Sequence, residues 1–579
     1  MELLLRFLRP HKKLVALILV VMLIDNTGTL LVPTMLANMV NEGIVSADMN
    51  RILAGGGEML VATFMASGGA VLGCYLASKL AANVGRDIRN AIYDKSLQFS
   101  SSDFERFGTG SMITRSTGDI NVIQQSIIMT IQMVLPVPFL CVVGTVLAFR
   151  IDYQMGLLLL AVVAVMLAIA VVTMRHATPI FMKLQGFIDR MNVVLRENII
   201  GVRVIRAFNK ERAEEQRMDK VFSEYAENAI HVNWLFAGLD CSCFFIMNIV
   251  EVIVLWLGGN RVGVHAMEIA SISAVIEYVM LILFFIMMAQ MAALSLPRAF
   301  ACLRRAAEVI DLDPEIVDAT GSDGTSDLEA GDEVLRFDHA SFRFSDADED
   351  TLHDIDFVCR RGQTTAIIGS TGSGKSTITK LLLRFHDVTS GRVLFDGCDV
   401  RDIGQNALRG RIAYVPQKAW LFSGTIRDNL QYGKGDATDD EMHHALKIAQ
   451  SEFVFDLPEV LDAPVAQGGT NFSGGQRQRL AIARALMKDA DLYVFDDSFS
   501  ALDFKTDAAL RQALASETQD AATLIVAQRI STILHADQII VLKDGCIVGR
   551  GHHEELMETC EVYRDIAESQ MKGGDRHDG

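Results

Sequence analysis

The sequence predicts a two-part protein, an all-α membrane domain of six transmembrane helices followed by an α/β domain built around a phosphate-binding loop. Long apolar runs occur up to residue 312, and the rest of the chain contains many charged residues. The hydrophobic fraction of 50% is therefore an average over two parts of different composition. The stretch GSTGSGKST, Gly369–Thr377, follows an apolar strand and precedes a helical pattern. We expect a membrane domain at 1–312, a linker at 313–333 and a soluble domain at 334–579.

Six segments are long and apolar enough to cross a bilayer, taking about 20 residues as one crossing. An even number of crossings places both ends of the chain on one side. That side is expected to be the cytoplasm, because a basic lead-in between Arg6 and Lys13, without the pattern of a cleaved signal, precedes the first span. The spans lie near 14–40, 57–83, 124–149, 155–175, 232–259 and 269–297.

Two long cytoplasmic connections, roughly 84–123 and 176–231, combine polar surfaces with periodic apolar residues and predict helices that continue well past the bilayer. Within them, 101–115 and 197–211 interrupt the helical pattern at glycines. We expect each pair of long helices to turn over a short crossing helix there. Two ordinary surface loops are the alternative interpretation.

Four carboxylates lie inside the predicted spans, where a lipid-facing charge is unfavourable. They are therefore expected to face a cavity or one another. Two interpretations stay open: contact with cationic or polar cargo or with protons, and hydrogen bonding between helices. The residues are Asp25, Asp240, Glu251 and Glu277.

Charge and cysteine content argue against nucleic-acid binding, a disulfide framework and a zinc site. The formal net charge of −18 argues against nucleic acid, because binding the phosphate backbone needs a basic surface. The nine cysteines include no CxxC pair, so neither a disulfide framework nor a zinc site is expected.

The phosphate-binding loop carries the most specific chemistry in the sequence. Its glycines allow backbone N–H groups to close around phosphate oxygens, Lys375 reaches the β- and γ-phosphates, and the Ser376 hydroxyl binds Mg²⁺. The candidate ATP-binding residues of this loop are Gly369, Ser370, Thr371, Gly372, Ser373, Gly374, Lys375, Ser376 and Thr377.

Further motifs follow the loop along the chain. YVPQ ends at Gln417, which could sense the metal and the membrane domain or simply cap a turn. NFSGGQ opens a helix whose N-terminus can bind an anion. LYVF is a buried strand that delivers Asp496 and Asp497 to its carboxyl end, where Mg²⁺ and an attacking water would lie.

These motifs, with SALD (500–503) and IVAQR (525–529), resemble the nucleotide-binding domain of ATP-binding-cassette (ABC) transporters in order and spacing. The six spans with ENIIGVRVIRAF and FSGTIRDNL are similar to the exporter type, so the resemblance covers essentially the whole chain. It implies ATP and Mg²⁺ as cofactors and an ATP hydrolase coupled to transport. It assigns adenine stacking to Phe344, the Q-loop and a metal contact to Gln417, the metal carboxylate to Asp496, the D-loop to Asp503, and the signature to Ser473, Gly474, Gly475 and Gln476.

Two departures from the family pattern fall at its catalytic positions. The family usually has Glu where Asp497 stands and His where Gln528 stands. Aspartate is one methylene shorter, which withdraws the carboxylate by about 1.5 Å from the water that it should polarise. Gln528 can donate a hydrogen bond to a γ-phosphate oxygen but carries no positive charge. We expect nucleotide binding to survive at this site while hydrolysis is strongly impaired. A third departure, Gln467 where exporters often have Glu, leaves the effect on coupling open.

In this family each ATP site combines the phosphate loop of one domain with the signature of another. The chain therefore resembles the degenerate-site subunit of heterodimeric bacterial multidrug exporters, with a second half-transporter as partner and with membrane lipid around it. The expected cargo is a hydrophobic small molecule, lipid or peptide, and the expected location is the bacterial inner membrane, with the nucleotide-binding domain and both termini in the cytoplasm. An ATP-gated channel or regulatory subunit is the alternative.

Overall fold

A computed structural model describes residues 2–45, 47–318, 331–344 and 347–574 of the 579-residue chain. The chain divides into two compact units, one formed by Met1–Gln98 and Phe107–Asp313 and the other by Phe99–Arg106 and Pro314–Gly579. Most of the predicted linker, 319–330, lies outside the described residues.

The first unit is helical. Within the described residues, six helical segments are long and apolar enough to cross a membrane, as the sequence predicts: Glu2–Ile44, Met49–Ser96, Thr109–Ile151, Tyr153–His176, Cys241–Gly263 and Ile269–Ile310. The helices up to residue 310 are α1 (Glu2–Leu8), α2 (Lys12–Asn38), α3 (Met49–Ser96), α4 (Ser101–Phe107), α5 (Thr109–Ser116), α6 (Gly118–Met129), α7 (Pro136–Ile151), α8 (Tyr153–Ala207), α9 (Glu211–Gly263) and α10 (Ile269–Ile310). Two π-helical turns, Met39–Ile44 and Thr130–Val134, extend α2 and join α6 to α7.

The two predicted crossing helices have different outcomes. The first is present: α4 is a short helix that ends beside Gly108, where a φ of 73° turns the chain. The second prediction is wrong, because α8 runs through Gly201 for 55 residues, roughly 80 Å, and the turn comes at Phe208–Lys210. A glycine inside a helix costs only about 1 kcal/mol, which a long helix tolerates.

The intramembrane carboxylates differ in exposure. Asp25 and Glu251 are half-buried, Glu277 is exposed, and the side chain of Asp240 lies outside the described residues. Asp25 lines a pocket between helices. A cavity, which is one of the two environments expected for these carboxylates, is therefore found at Asp25.

The second unit contains a six-stranded sheet in the order β12-β11-β3-β10-β9-β6, a four-stranded antiparallel sheet in the order β2-β1-β4-β5, and the pair β7-β8. The strands are β1 (Glu333–Phe342), β2 (Leu352–Arg360), β3 (Thr364–Gly369), β4 (Ser390–Phe395), β5 (Cys398–Asp399), β6 (Ile412–Val415), β7 (Gly424–Thr425), β8 (Pro464–Val465), β9 (Leu492–Asp496), β10 (Ala522–Ala527), β11 (Gln538–Lys543) and β12 (Cys546–Gly551). Besides most of α4, the helices of this unit are α11 (Lys375–Leu382), α12 (Gln405–Gly410), α13 (Ile426–Gln431), α14 (Asp439–Ile448), α15 (Gly474–Leu486), α16 (Phe504–Glu517), α17 (Ile530–Ile533), α18 (His553–Thr559) and α19 (Glu561–Gly574).

The six-stranded sheet is buried on both faces. Along β3, Ile367 packs into one apolar cluster and Ile368 into another, because successive side chains of a strand point to opposite faces. The four neighbouring strands β3, β10, β9 and β6 are parallel, so their carboxyl ends meet at one edge of the sheet. That edge carries the phosphate-binding loop and the predicted catalytic positions.

A polar contact joins two spans at the ends opposite the predicted cytoplasmic side. Asp152 caps α8 by accepting hydrogen bonds from the backbone of Gln154 and Met155, and its carboxylate also accepts from Arg261 at 2.7 Å. Its side chain is only 4% exposed, whereas that of Asp48, which caps α3 in the same way, is 43% exposed.

We expect Asp152→Ala to lower the free energy of unfolding by about 3 kcal/mol, of which about 1 is the lost cap and about 2 the charge-assisted hydrogen bonds. Asp48→Ala is the matched control and loses a cap and an exposed ion pair with Arg51, for about 1 kcal/mol in total. Titration of the full chain in mixed micelles with a denaturing detergent measures both. Equal effects of the two substitutions would show that the Arg261 contact adds no stability.

Candidate functional site

The phosphate-binding loop connects β3 to α11. Gly372 and Gly374 have φ values of 86° and 96°, a region in which other residues are strained, and a side chain at 374 would also collide with Leu352. The Ser373 hydroxyl is buried and has no hydrogen-bond partner among the described residues. A tight loop of backbone at a helix N-terminus, with an orphaned buried hydroxyl, fits the binding of a phosphate.

Lys375 lies inside this loop. Its Nζ donates to the carbonyl oxygens of Gly369 and Ser370, at 2.8 Å each, and the residue is 9% exposed. Burial lowers the pKa of Lys375, an effect that the nearby carboxylates of Asp497 and Asp496 partly oppose. The ammonium group therefore lies in a site that favours an additional anion.

Asp496 ends β9 and is almost fully buried. It accepts hydrogen bonds from Ser376 at 3.4 Å, Thr379 at 3.2 Å and Tyr414 at 3.5 Å. Burial raises the pKa of Asp496 because the carboxylate is removed from water. Ser376 and Asp496 thus place a hydroxyl and a carboxylate together, the hard oxygen ligands that Mg²⁺ takes alongside substrate phosphates.

Asp497 follows in the left-handed conformation, with a φ of 49°. Its Oδ2 accepts from Gln528 Nε2 at 2.8 Å and from Gln417 Nε2 at 3.1 Å. Burial raises the pKa of this carboxyl group, and the hydrogen bond from Gln417 and the charge of Lys375 oppose the rise. The two departures at catalytic positions, Asp497 and Gln528, are therefore joined by a hydrogen bond, and Gln417 faces Asp497 instead of the Ser376–Asp496 pair.

The remaining predicted residues lie elsewhere on the unit. The Phe344 ring packs edge-on against Phe342 at 4.8 Å between centroids. Ser473 caps α15 in a reciprocal box with Gln476, and a side chain at Gly474 would meet open space. Asp503 caps α16 by accepting from Thr506. Within the described part of the chain, no hydrogen bond joins the signature residues to the phosphate loop, as expected for motifs that serve different sites.

Three contacts of the site were not anticipated from the sequence. Thr379 is three residues after Ser376 on α11, a spacing that places both on one helix face and could have revealed it. Tyr414 gives no comparable signal. Gln570, on α19, donates to the carbonyl of Gln528 at 2.7 Å and accepts from the backbone of Ile530 at 2.8 Å, so the C-terminal helix holds the segment that carries Gln528.

We expect Asp496→Asn to raise the thermal stability of the nucleotide-free chain and to remove its stabilisation by Mg-ATP. A carboxyl group whose folded pKa lies above its unfolded pKa destabilises the fold increasingly as pH rises through that interval, and the amide removes this penalty at neutral pH. The wild type should gain about 2.7 kcal/mol when ligand is present at about 100 times its Kd.

The matched control for this measurement is Asp507→Asn, which removes an equally buried carboxylate that is paired with Arg511. It should destabilise the chain and leave the Mg-ATP stabilisation intact. Thermal unfolding of the full chain with and without Mg-ATP measures both quantities. Full Mg-ATP stabilisation of the Asp496→Asn variant would contradict the assignment of the metal carboxylate.

Comparisons with known proteins give matches in both units of the chain. Residues 15–287 match the model of the ABC transporter transmembrane region, and residues 352–500 match the ABC transporter model. An uncharacterized ABC transporter ATP-binding protein of Mycobacterium tuberculosis is 38% identical over 574 residues, 98% of each chain. An ATP-dependent lipid A-core flippase of Syntrophus aciditrophicus is 28% identical over 98% of this chain and 94% of its own.

The fold is likewise similar to that of a solved structure, a bacterial Atm1-family ABC exporter with ATP bound. The TM-score is 0.81 at 24% identity, over 96% of this chain and 98% of that one. The predicted architecture, six membrane helices of the exporter type followed by an ABC nucleotide-binding domain, is thereby confirmed. The chain belongs to the ABC transporter family, as an exporter half-transporter.

Proposed function

We propose that this chain is the degenerate-site subunit of a heterodimeric exporter that moves hydrophobic or amphipathic cargo out of the bacterial cytoplasm by alternating access. The observation that carries the proposal is the hydrogen bond that Gln528 donates to Asp497, the two residues at the catalytic positions. The chain would lie in the cell membrane, with its termini and its nucleotide-binding domain in the cytoplasm.

Nucleotide binding would use groups that are intact. The loop backbone and Lys375 hold the phosphates, and the Ser376 hydroxyl and the Asp496 carboxylate would hold Mg²⁺. The metal, when bound, neutralises charge on the phosphate oxygens. Among the described residues, no cluster of three His, Cys, Asp or Glu side chains could bind a metal by itself, which is compatible with a metal held jointly by protein and substrate.

Hydrolysis would be slow for a geometric and an electrostatic reason. A general base must direct a lone pair at the water, and Asp497 is one methylene shorter than the usual glutamate. Its Oδ2 already accepts two amide hydrogen bonds, so this oxygen is engaged with Gln417 and Gln528 and not with a water. Gln528 donates to Asp497 and supplies no positive charge to a γ-phosphate. ATP would therefore remain at this site through many cycles, stabilising the contact between domains.

The signature supports a contribution to the partner's site. The N-terminus of α15 is exposed, and the reciprocal Ser473–Gln476 box orders it. A 13-residue helix carries partial positive charge at this end, which favours a phosphate held by another chain's loop. Catalysis would then occur mainly on the partner's loop, completed by this chain's signature.

The name of one relative and the apolar membrane unit support the proposed cargo class. The flippase is named for a lipid, and the membrane unit of this chain presents mainly apolar surface. We therefore infer a drug, lipid or peptide with substantial apolar area. Uphill transport by the reconstituted complex would distinguish export from an ATP-gated channel, which moves cargo only down its gradient.

We expect Asp497→Ala to leave most ATPase activity of the purified two-chain complex intact, because this carboxylate is not the working base. The corresponding change at the partner's glutamate should lower turnover by roughly 10²-fold or more. Asp544→Ala, at a turn with a φ of 48°, is the control for losing an aspartate from a left-handed position. If Asp497→Ala alone abolished turnover, the degenerate-site proposal would be wrong.

We also expect Ser473→Arg to abolish ATPase activity of the complex, because it puts bulk and charge where the partner's nucleotide would approach the N-terminus of α15. Thr438→Arg is the control, since it breaks an equivalent capping box on α14. Steady-state ATPase assays measure both variants. We expect Thr438→Arg to retain turnover. If Ser473→Arg also retained it, this signature would not complete the active site.

A further inference from the structure

A half-open pocket of about 240 Å³ lies in the membrane unit, between α2, α3, α10 and the π-helical turn that precedes α7. Its polar wall contains the carboxylate of Asp25 and the amides of Asn26 and Gln132. Phe285 and neighbouring aliphatic side chains form the apolar wall. Each of these residues lies well inside its predicted span, so the pocket is at the depth of the hydrocarbon core.

Glycine makes room for the carboxylate. A side chain at Gly69 would meet the Cβ of Asp25 at 3.0 Å, so α3 approaches α2 closely at this point. Asp25 lies seven residues after Ile18, on the face of α2 that lines the pocket. The carboxylate is therefore directed between helices, as the energetic penalty of exposure to lipid requires.

The charge of Asp25 is not matched within the unit. Among the residues that the structure describes, no Lys, Arg or His forms an ion pair with it. By contrast, Asp119, five residues before the third predicted span, is paired with Arg305 at 2.6 Å. An intramembrane carboxylate that lines a cavity without a protein cation indicates a ligand that brings the positive charge.

The π-helical turn before α7 brings the amide of Gln132 to the pocket wall. Thr130–Val134 is π-helical, a distortion that is frequent at functional sites, and it carries Gln132 into the pocket wall. Gln132 Nε2 donates to Cys74 Sγ at 3.0 Å, which fixes the amide across the cavity from α2. The pocket thus contains one negative charge, fixed amides and an aromatic ring.

We propose that this pocket binds the ammonium headgroup of an amphipathic cationic cargo, paired with Asp25 and contacting the Phe285 ring. This inference rests on the proposed export of amphipathic cargo and adds the charge of that cargo. A single carboxylate with aromatic and aliphatic walls suits an organic cation, whereas a bare metal cation needs more oxygen ligands. The volume exceeds that of a cavity of about 150 Å³ that binds benzene, so a trimethylammonium group with adjoining methylenes fits.

The test compares two probes of the same shape, hexanoylcholine and its uncharged carbon isostere 3,3-dimethylbutyl hexanoate. Binding is measured by titration calorimetry on the full-length transporter in dodecylmaltoside, without nucleotide. We expect the wild type to prefer the cation by about 10-fold or more, and Asp25→Asn to remove that preference while retaining the weaker binding of the isostere. Asp25→Glu keeps the charge and should retain the preference.

Glu58→Gln is the matched control, because Glu58 lines a separate apolar groove between α2 and α3. It should leave the affinity for both probes unchanged. An absent preference in the wild type, a preference that survives in Asp25→Asn, or an equal loss of both probes in that variant would each overturn the proposal. Since no nucleotide is present, these outcomes are independent of whether the ATP site proves degenerate.

Discussion

The parallel register of β3, β10, β9 and β6 is the constraint on which the nucleotide site depends. These strands are neighbours in the sheet, so their carboxyl ends present the phosphate loop, Gln528, the Asp496–Asp497 pair and Gln417 along one edge. Ser376 and Asp496, which are 120 positions apart in the chain, are brought within hydrogen-bond distance in this way. The hydrogen bonds to Asp497 follow from that register.

Burial at this edge has opposite effects on the two kinds of charge. It raises the pKa of Asp496 and Asp497 and lowers that of Lys375, so each charged form is disfavoured until a counter-charge arrives. Phosphate and Mg²⁺ supply those counter-charges together. Without ligand, the charges of the buried side chains are therefore not balanced. Binding of the metal–nucleotide complex balances them, and this does not require hydrolysis.

Asp497 adds a conformational reason for its identity. Its φ of 49° lies in the left-handed region, which aspartate adopts more readily than glutamate because its short side chain bonds locally. A longer side chain here would meet backbone strain as well as the amides of Gln417 and Gln528. Aspartate at position 497 therefore fits the local arrangement of its side chain with those of Gln417 and Gln528.

The sequence predicts what depends on local pattern. The six spans follow from apolar length, and the phosphate loop follows from glycines, Lys375 and Ser376 at fixed spacing. Contacts between distant segments have no such signal, so the clamp of Gln570 on the Gln528 segment and the pocket at Asp25 required the fold. The wrong prediction at Gly201 has a different cause, since helix propensity over the whole of α8 outweighs one glycine.

The central claim is that this chain holds ATP while its partner hydrolyses it. The most direct measurement lets the purified two-chain complex turn over radiolabelled 2-azido-ATP for several cycles, crosslinks the bound nucleotide by light, separates the chains and identifies the nucleotide on each. Intact ATP on this chain, with ADP on the partner subunit, is the result that the account predicts. ADP in equal proportion on both chains would contradict it.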